Sequence, residues 1–252
     1  MITLNRLSAV LFSRINSAAP DSIDAQIARG ILDHFKQLDT LSLSQLAQAC
    51  HVSPIRIKKF IKELGYESYS DLKKFNCVLS YTNQQLNQRL AMYNLADQQK
   101  HFLQFAGLEY LEPDLKSKIE QAAQRIKAAR TVYLAGSLEM VSLALNFQTD
   151  LFQMDKRCYV IKDKADFEFY HPDEQLDLVI TMTMTGRLFS FGTPLGTILR
   201  SYEASILMSR SFCMECSLYL PIHSEYEIFD GYYWVLFYLD QIKAAYWNRY
   251  CL

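Results

Sequence analysis

The chain has 252 residues, half of them hydrophobic, with a formal net charge of −1. That length suits two domains with a core each, and no apolar run approaches the roughly 18 residues that a membrane span requires. Arg6 and Arg14 interrupt the apolar N-terminus, which lacks the basic-then-apolar order of an export signal. The expectation is a soluble, cytoplasmic protein with no membrane partner. The 6 cysteines then argue against a disulfide framework. Cys213 and Cys216 form a lone CxxC, with only His223 and Cys251 near enough in sequence to extend it. Zinc needs about four ligands, so a structural role is expected, with no metal or cofactor. Charge is uneven along the chain. Residues 1–80 carry 10 Lys and Arg against 7 Asp and Glu, and the remainder carries 16 against 20. A basic N-terminal part on an acidic body points to an anionic partner for the former.

The first clear helix is predicted within DSIDAQIARGILDHFKQL, where Ile27, Ile31, Leu32 and Phe35 share one face and Asp21 or Ser22 can cap the start. Residues 41–75 carry denser signals. Ser42 and Gln45 form a capping box that starts a helix near Leu43, with Leu46 and the small Ala47 facing inward. His51 stands where a left-handed residue ends that helix, and Val52 is the expected buried turn residue. Ser53 caps a second helix with Pro54 at its first position. Ile57, Phe60, Ile61 and Leu64 form its apolar side, and Gly65 ends it. Arg56, Lys58, Lys59 and Lys62 are expected on its exposed side. This is the order of a helix-turn-helix, whose second helix reads the major groove of double-stranded DNA with cations for phosphates and donors for base edges. Ser53, Arg56, Lys58, Lys59 and Lys62 are the candidate DNA contacts, with Arg56 cast as a base reader and Lys59 as a phosphate contact. A solvated basic face on an ordinary helical hairpin is the plainer alternative.

Residues 77–112, rich in Gln and Asn early on, read as a helical connector with a loop near 94–100. Pro113 to Ala129 reads as a helix with Leu115, Ile119, Ala122, Ala123 and Ile126 on its apolar stripe. Beyond Arg130 the pattern changes. Short apolar runs at 131–135, 157–161, 176–182, 204–208 and 217–220 read as strands. Segments at 138–154 and 188–202, with a looser piece at 162–175, are long enough for intervening helices. Strands alternating with helices imply a parallel sheet. The aromatic segment 224–250 reads as a long C-terminal helix. Its apolar residues Ile228, Phe229, Tyr232, Tyr233, Leu236, Phe237 and Leu239 cover more than one face, which suggests burial on two sides, including a subunit interface. The expected fold class is α plus α/β: an all-α helix-turn-helix domain at 1–76, the connector at 77–112, and a three-layer αβα domain with a parallel sheet at 113–252.

The segment LAQACHVSPIRIKKFIKELGY resembles the helix-turn-helix of the MurR/RpiR family of bacterial regulators. Leu46, Ala47, Val52, Ser53, Phe60, Leu64, Gly65 and Tyr66 match that family's pattern, while Arg56 and Lys59 stand where Thr and Arg are usual. The following SYSDLKKF resembles the family's next segment. The resemblance implies that the second domain is a sugar isomerase (SIS) domain, in which two loops at the ends of strands bind a sugar phosphate. The first loop, usually G-x-G-x-S, is here Gly136-Ser137-Leu138-Glu139-Met140. The second, usually S-x-S-G-x-T, is Thr183-Met184-Thr185-Gly186-Arg187-Leu188. Half of the expected phosphate-binding groups are kept, so Ser137, Thr183, Thr185, Gly186 and Arg187 are the candidate contacts for a phosphosugar effector. Two readings of the domain stay open: a sensor drifted toward another ligand, or a domain kept for homo-oligomerisation as a dimer or tetramer.

Glu139, His223 and Glu225 can be nominated for acid–base work, but nothing in the sequence orders them around a substrate, and no enzyme is expected. The expected function is transcriptional regulation of sugar or phosphosugar metabolism genes. The rivals are a sugar-phosphate isomerase or binding protein with a helical appendage, and a scaffold that uses only the aromatic C-terminal helix.

Overall fold

The computed structural model describes residues 7–76, 99–100, 102–104, 112–136, 138–190, 192–200, 202, 205–223 and 229–251. The chain divides into two compact units, 1–87 and 88–252.

The first unit is all-helical. It contains α1 (Leu7–Ser17), α2 (Ile23–Asp33), a 3-10 turn at Phe35–Gln37, α3 (Leu43–Ala49), α4 (Pro54–Glu63) and α5 (Tyr69–Asn76). Leu7, Leu11 and Ile15 recur every fourth residue on α1 and are buried, because that spacing keeps them on one helix face. α1 packs on α2, which also meets α3 and α4. Ser22 rather than Asp21 caps α2, its hydroxyl accepting the Ala25 N–H at 3.2 Å. Ile27, Ile31, Leu32 and Phe35 are all buried, as their spacing predicts. One tight contact sets the approach of α2 to α3. A Cβ at Gly30 would lie 2.5 Å from the Cys50 Sγ, so only glycine lets the Cys50 turn rest against α2. Burial pushes the Cys50 thiol up to about 11, with the nearby Asp33 charge adding to the effect.

The second unit holds a five-stranded parallel sheet in the order β2-β1-β3-β4-β5. The strands are β1 (Thr131–Gly136), β2 (Arg157–Ile161), β3 (Leu178–Thr183), β4 (Ser205–Ser209) and β5 (Leu218–Pro221). All five fall on apolar runs visible in the sequence. β1 to β4 are buried at nearly every position, as strands covered on both faces read as unbroken hydrophobic stretches, while the edge strand β5 is fully buried only at alternate residues. The helices are α6 (Leu115–Ala128), α7 (Leu138–Ser142), α8 (Ala144–Gln153), α9 (Lys164–Tyr170), α10 (Arg187–Ser190), α11 (Pro194–Arg200) and α12 (Phe229–Tyr250). α6 and α8 pack against α12, while α9 packs on β2 and α11. The return from β4 to parallel β5 uses only residues 210–217 and contains no helix, shorter than the dozen or more residues usual for such a crossover. Cys213 and Cys216 lie in this tight return as free thiols.

At the other end of the sheet Asp177 is a staple. Its carboxylate accepts two bonds from Arg130, at 3.1 and 2.7 Å, and backbone N–H bonds from Thr131 and Asp173. A buried carboxylate supplied with four donors costs little to bury. On α12 packing adds residues to the apolar set expected from the sequence. Trp234, Val235, Tyr238 and Ile242 join Phe237 and Leu239 in the buried set, whereas Tyr233 and Leu236 remain exposed. Lys243 is buried on this helix beside Asp150 at 3.0 Å and Asp240 at 2.6 Å, an ion pair that ties α12 to α8. Most of the expected connector lies outside the described residues. Of the loop expected at 94–100, Gln99 and Lys100 are helical instead. Further along, the ring of Phe102 stacks on Phe237 with centroids 4.1 Å apart.

Among the described residues no helix is long and apolar enough to cross a membrane.

Candidate nucleic-acid interface and ligand loops

The helix-turn-helix is built by side-chain caps. Ser42 accepts the Gln45 N–H at 3.2 Å, and Gln45 returns the favour by accepting the Ser42 N–H at 2.8 Å. The helix ends in a Schellman arrangement. Cys50 is the last half-helical residue, His51 adopts φ 54°, and the N–H groups of His51 and Val52 reach the carbonyls of Gln48 and Ala47. Val52 is half-buried rather than buried, because this turn points its side chain only partly inward. Ser53 then caps α4, accepting the Arg56 N–H at 3.3 Å. α4 ends in the same way, with Gly65 at φ 91° and the N–H groups of Gly65 and Tyr66 on the carbonyls of Lys62 and Ile61. Ile57, Phe60 and Ile61 are buried, and Leu64 is half-buried. Each full burial is worth about 1.5–3 kcal/mol, which fixes the helix in rotation as well as position.

That rotation decides which cations face outward. Lys58, Lys59 and Lys62 are all exposed, and their spacing puts them on one stripe of the helix. Lys59 lies 3.8 Å from Glu63, with 71% of its side chain exposed. Arg56 departs from the expected arrangement. It turns toward α2, where its guanidinium is paired with the Asp24 carboxylate, and it lies 3.9 Å from Glu63. Its side chain is only 24% exposed. The partner is 32 residues away in sequence, so no local pattern around α4 announces it.

The two loops nominated for an effector come together at the sheet. β1 and β3 are neighbours, and Gly136 pairs in register with Met182. The chain leaves β1 toward β2 on one side and returns to β3 on the other. The carboxyl ends of β1 and β3 are therefore the topological switch point, where open parallel sheets bind ligands. A Cβ on Gly136 would overlap the Met182 carbonyl oxygen, so glycine there serves sheet packing whatever the loop binds. Ser137 lies outside the described residues. Met140, standing where a hydroxyl is usual in the resembled family, is buried and offers no donor.

The second loop divides in two. Thr183 and Met184 are buried, and Met184 occupies the space a Cβ on Gly231 of α12 would need. Thr185 and Arg187 are exposed, and the Thr185 hydroxyl accepts the Arg187 N–H at 3.4 Å. Gly186 sits at φ 69°. A Cβ there would lie 3.2 Å from the Cys213 Cβ and 3.5 Å from the Ser211 Oγ. The β4–β5 return is therefore the wall of this loop, and Ser211 and Cys213 adjoin the candidate site. Sequence reasoning missed both. The one available signal was the CxxC, which carried no indication of what it faces. Of the residues nominated for acid–base work, His223 is exposed with its ring 3.1 Å from Glu112. Glu225 and the side chain of Glu139 lie outside the description.

The family match falls on the first unit, and the similarity to individual proteins extends beyond it. Residues 13–76 match the helix-turn-helix domain, rpiR family. The match begins within α1 and ends with α5, so it spans the whole capped core just described. An uncharacterised HTH-type transcriptional regulator in the aarA 3′ region of Providencia stuartii is 25% identical to this chain over 193 residues, covering 73% of this chain and 67% of the relative. The Vibrio vulnificus NanR protein complexed with ManNAc-6P is similar over 97% of this chain and 93% of that one, at 14% identity and a TM-score of 0.46.

Proposed function

We propose that the protein is a DNA-binding transcriptional regulator of the MurR/RpiR type, with α4 as its recognition helix. The observation that carries this reading is the outward stripe of Lys58, Lys59 and Lys62 on the capped second helix of an rpiR-family helix-turn-helix domain. In the major groove these lysines reach phosphates, and the Ser53 end of α4 points its first turn at the base edges. Arg56 acts through Asp24, holding α4 against α2, instead of reading a base. The similarity to the Providencia protein, itself described as an uncharacterised HTH-type transcriptional regulator, supports the same reading.

The second unit is proposed to associate protomers into a dimer or tetramer and to bind a phosphosugar at the Gly136 and Thr183–Arg187 loops. This control would extend to genes of carbohydrate metabolism. The switch-point position of both loops supports an effector site. Ligand binding would act by favouring one arrangement of the protomers over another.

Titration of the full-length protein against DNA from its own upstream region tests the reading. Sequence-selective, salt-dependent binding is expected. A thermal-shift series with phosphosugars tests the effector. Stabilisation that is lost in Arg187→Ala supports it, and no shift with any of them rejects it.

A further inference from the structure

Ile55 is the second residue of α4, and it is 78% exposed. Ile57 and Ile61 of the same helix are fully buried, so the core does not need Ile55. β-Branched residues are also slightly unfavourable in helices, and nothing local favours isoleucine over a polar residue. Spacing places it with care. Ile55, Lys58, Lys59 and Lys62 stand at i, i+3, i+4 and i+7, so they form one stripe with the isoleucine at its N-terminal end. Arg56 lies off that stripe, paired with Asp24. The stripe thus consists of three cations for phosphates and one apolar side chain at the end of the helix that comes nearest to base edges in this class of domain.

An isoleucine cannot exchange hydrogen bonds with a base. The one apolar group that B-DNA displays in its major groove is the C5-methyl of thymine. We infer that Ile55 is a specificity-determining residue that packs on a thymine methyl and selects an A·T pair in each half-site. The inference rests on the proposed DNA-binding role. It assigns part of the sequence preference to an apolar contact and removes Arg56 from base reading.

The test uses the full-length chain. Duplexes are first selected from a randomised pool, and each thymine of the selected sequence is then replaced in turn by deoxyuridine, which lacks only the methyl. Wild-type binding, followed by anisotropy, should weaken about four- to tenfold at one thymine per half-site. Ile55→Ala should bind the parent duplex more weakly by about the square of that factor, because it removes the contact in both half-sites, and be indifferent to deoxyuridine at that position. Ile55→Val should recover part of the sensitivity. Unchanged melting of the variants separates this from misfolding, since the side chain is on the surface. Wild-type binding insensitive to every deoxyuridine overturns the inference, as does full methyl sensitivity retained in Ile55→Ala. In either case selective binding itself would leave the regulator reading standing. A pool that yields no preferred sequence removes that reading and the inference together.

Discussion

The two units of this protein specify their sites in different ways. In the helix-turn-helix, each boundary is written within five residues of where it acts: Ser42 with Gln45, Ser53 with Arg56, and the turns closing on Ala47 and Ile61. In the α/β unit, the candidate ligand loops are adjacent only because β1 and β3 pair, and their walls come from Gly231 and from the β4–β5 return. Local chemistry makes the first site legible and robust. Tertiary convergence makes the second sensitive to residues far away in sequence. The contrast predicts that damage to the first site is graded by burial and capping, and that damage to the second arises from close approach.

The largest effect is expected from Phe60→Ala, which empties a fully buried site on α4. It should cost about 3–5 kcal/mol of first-unit stability and abolish DNA binding. Chemical denaturation followed by circular dichroism reads this. A loss below about 1 kcal/mol would mean that α4 is not held by its core. Gly136→Ala comes next, since its Cβ meets the Met182 carbonyl. Overpacking of this kind costs about 1–3 kcal/mol, and the second transition should shift while DNA affinity per folded molecule stays unchanged. Ser53→Ala should cost about 1 kcal/mol by removing a cap. Ser53→Asp should restore stability but weaken DNA binding by adding negative charge. Among the destabilising substitutions, Arg56→Ala should be the mildest. A half-exposed pair with Asp24 is worth about 0.2–1 kcal/mol, and Asp24→Ala should match it in stability. If Arg56→Ala instead relaxed sequence preference without touching stability, Arg56 would be a base reader after all.

Much of the fold is legible because its signals are short-range. The five strands coincide with apolar runs, and α3 and α4 start at their caps. Helix α1 is equally legible in the spacing of Leu7, Leu11 and Ile15, although Arg14 interrupts its apolar face. What sequence reasoning could not reach depends on partners that are distant along the chain. Asp24 redirects Arg56 from 32 residues away. Cys50 explains Gly30, and Met184 explains Gly231. The aromatic C-terminal helix shows the same limit, since its apolar residues crowd more than one face and only packing decides that Trp234 is buried and Tyr233 is not.

In the proposed function, α4 binds DNA through its lysine stripe. The most direct measurement is anisotropy titration of wild type and Lys59→Ala against selected and scrambled duplexes over a range of salt concentrations. Wild type should bind the selected duplex more tightly, with an affinity that falls linearly in log–log form with salt. Lys59→Ala should weaken binding to both duplexes alike and reduce the slope by about 1. Equal affinity of the wild type for the two duplexes, or a slope unaffected by the substitution, would contradict it.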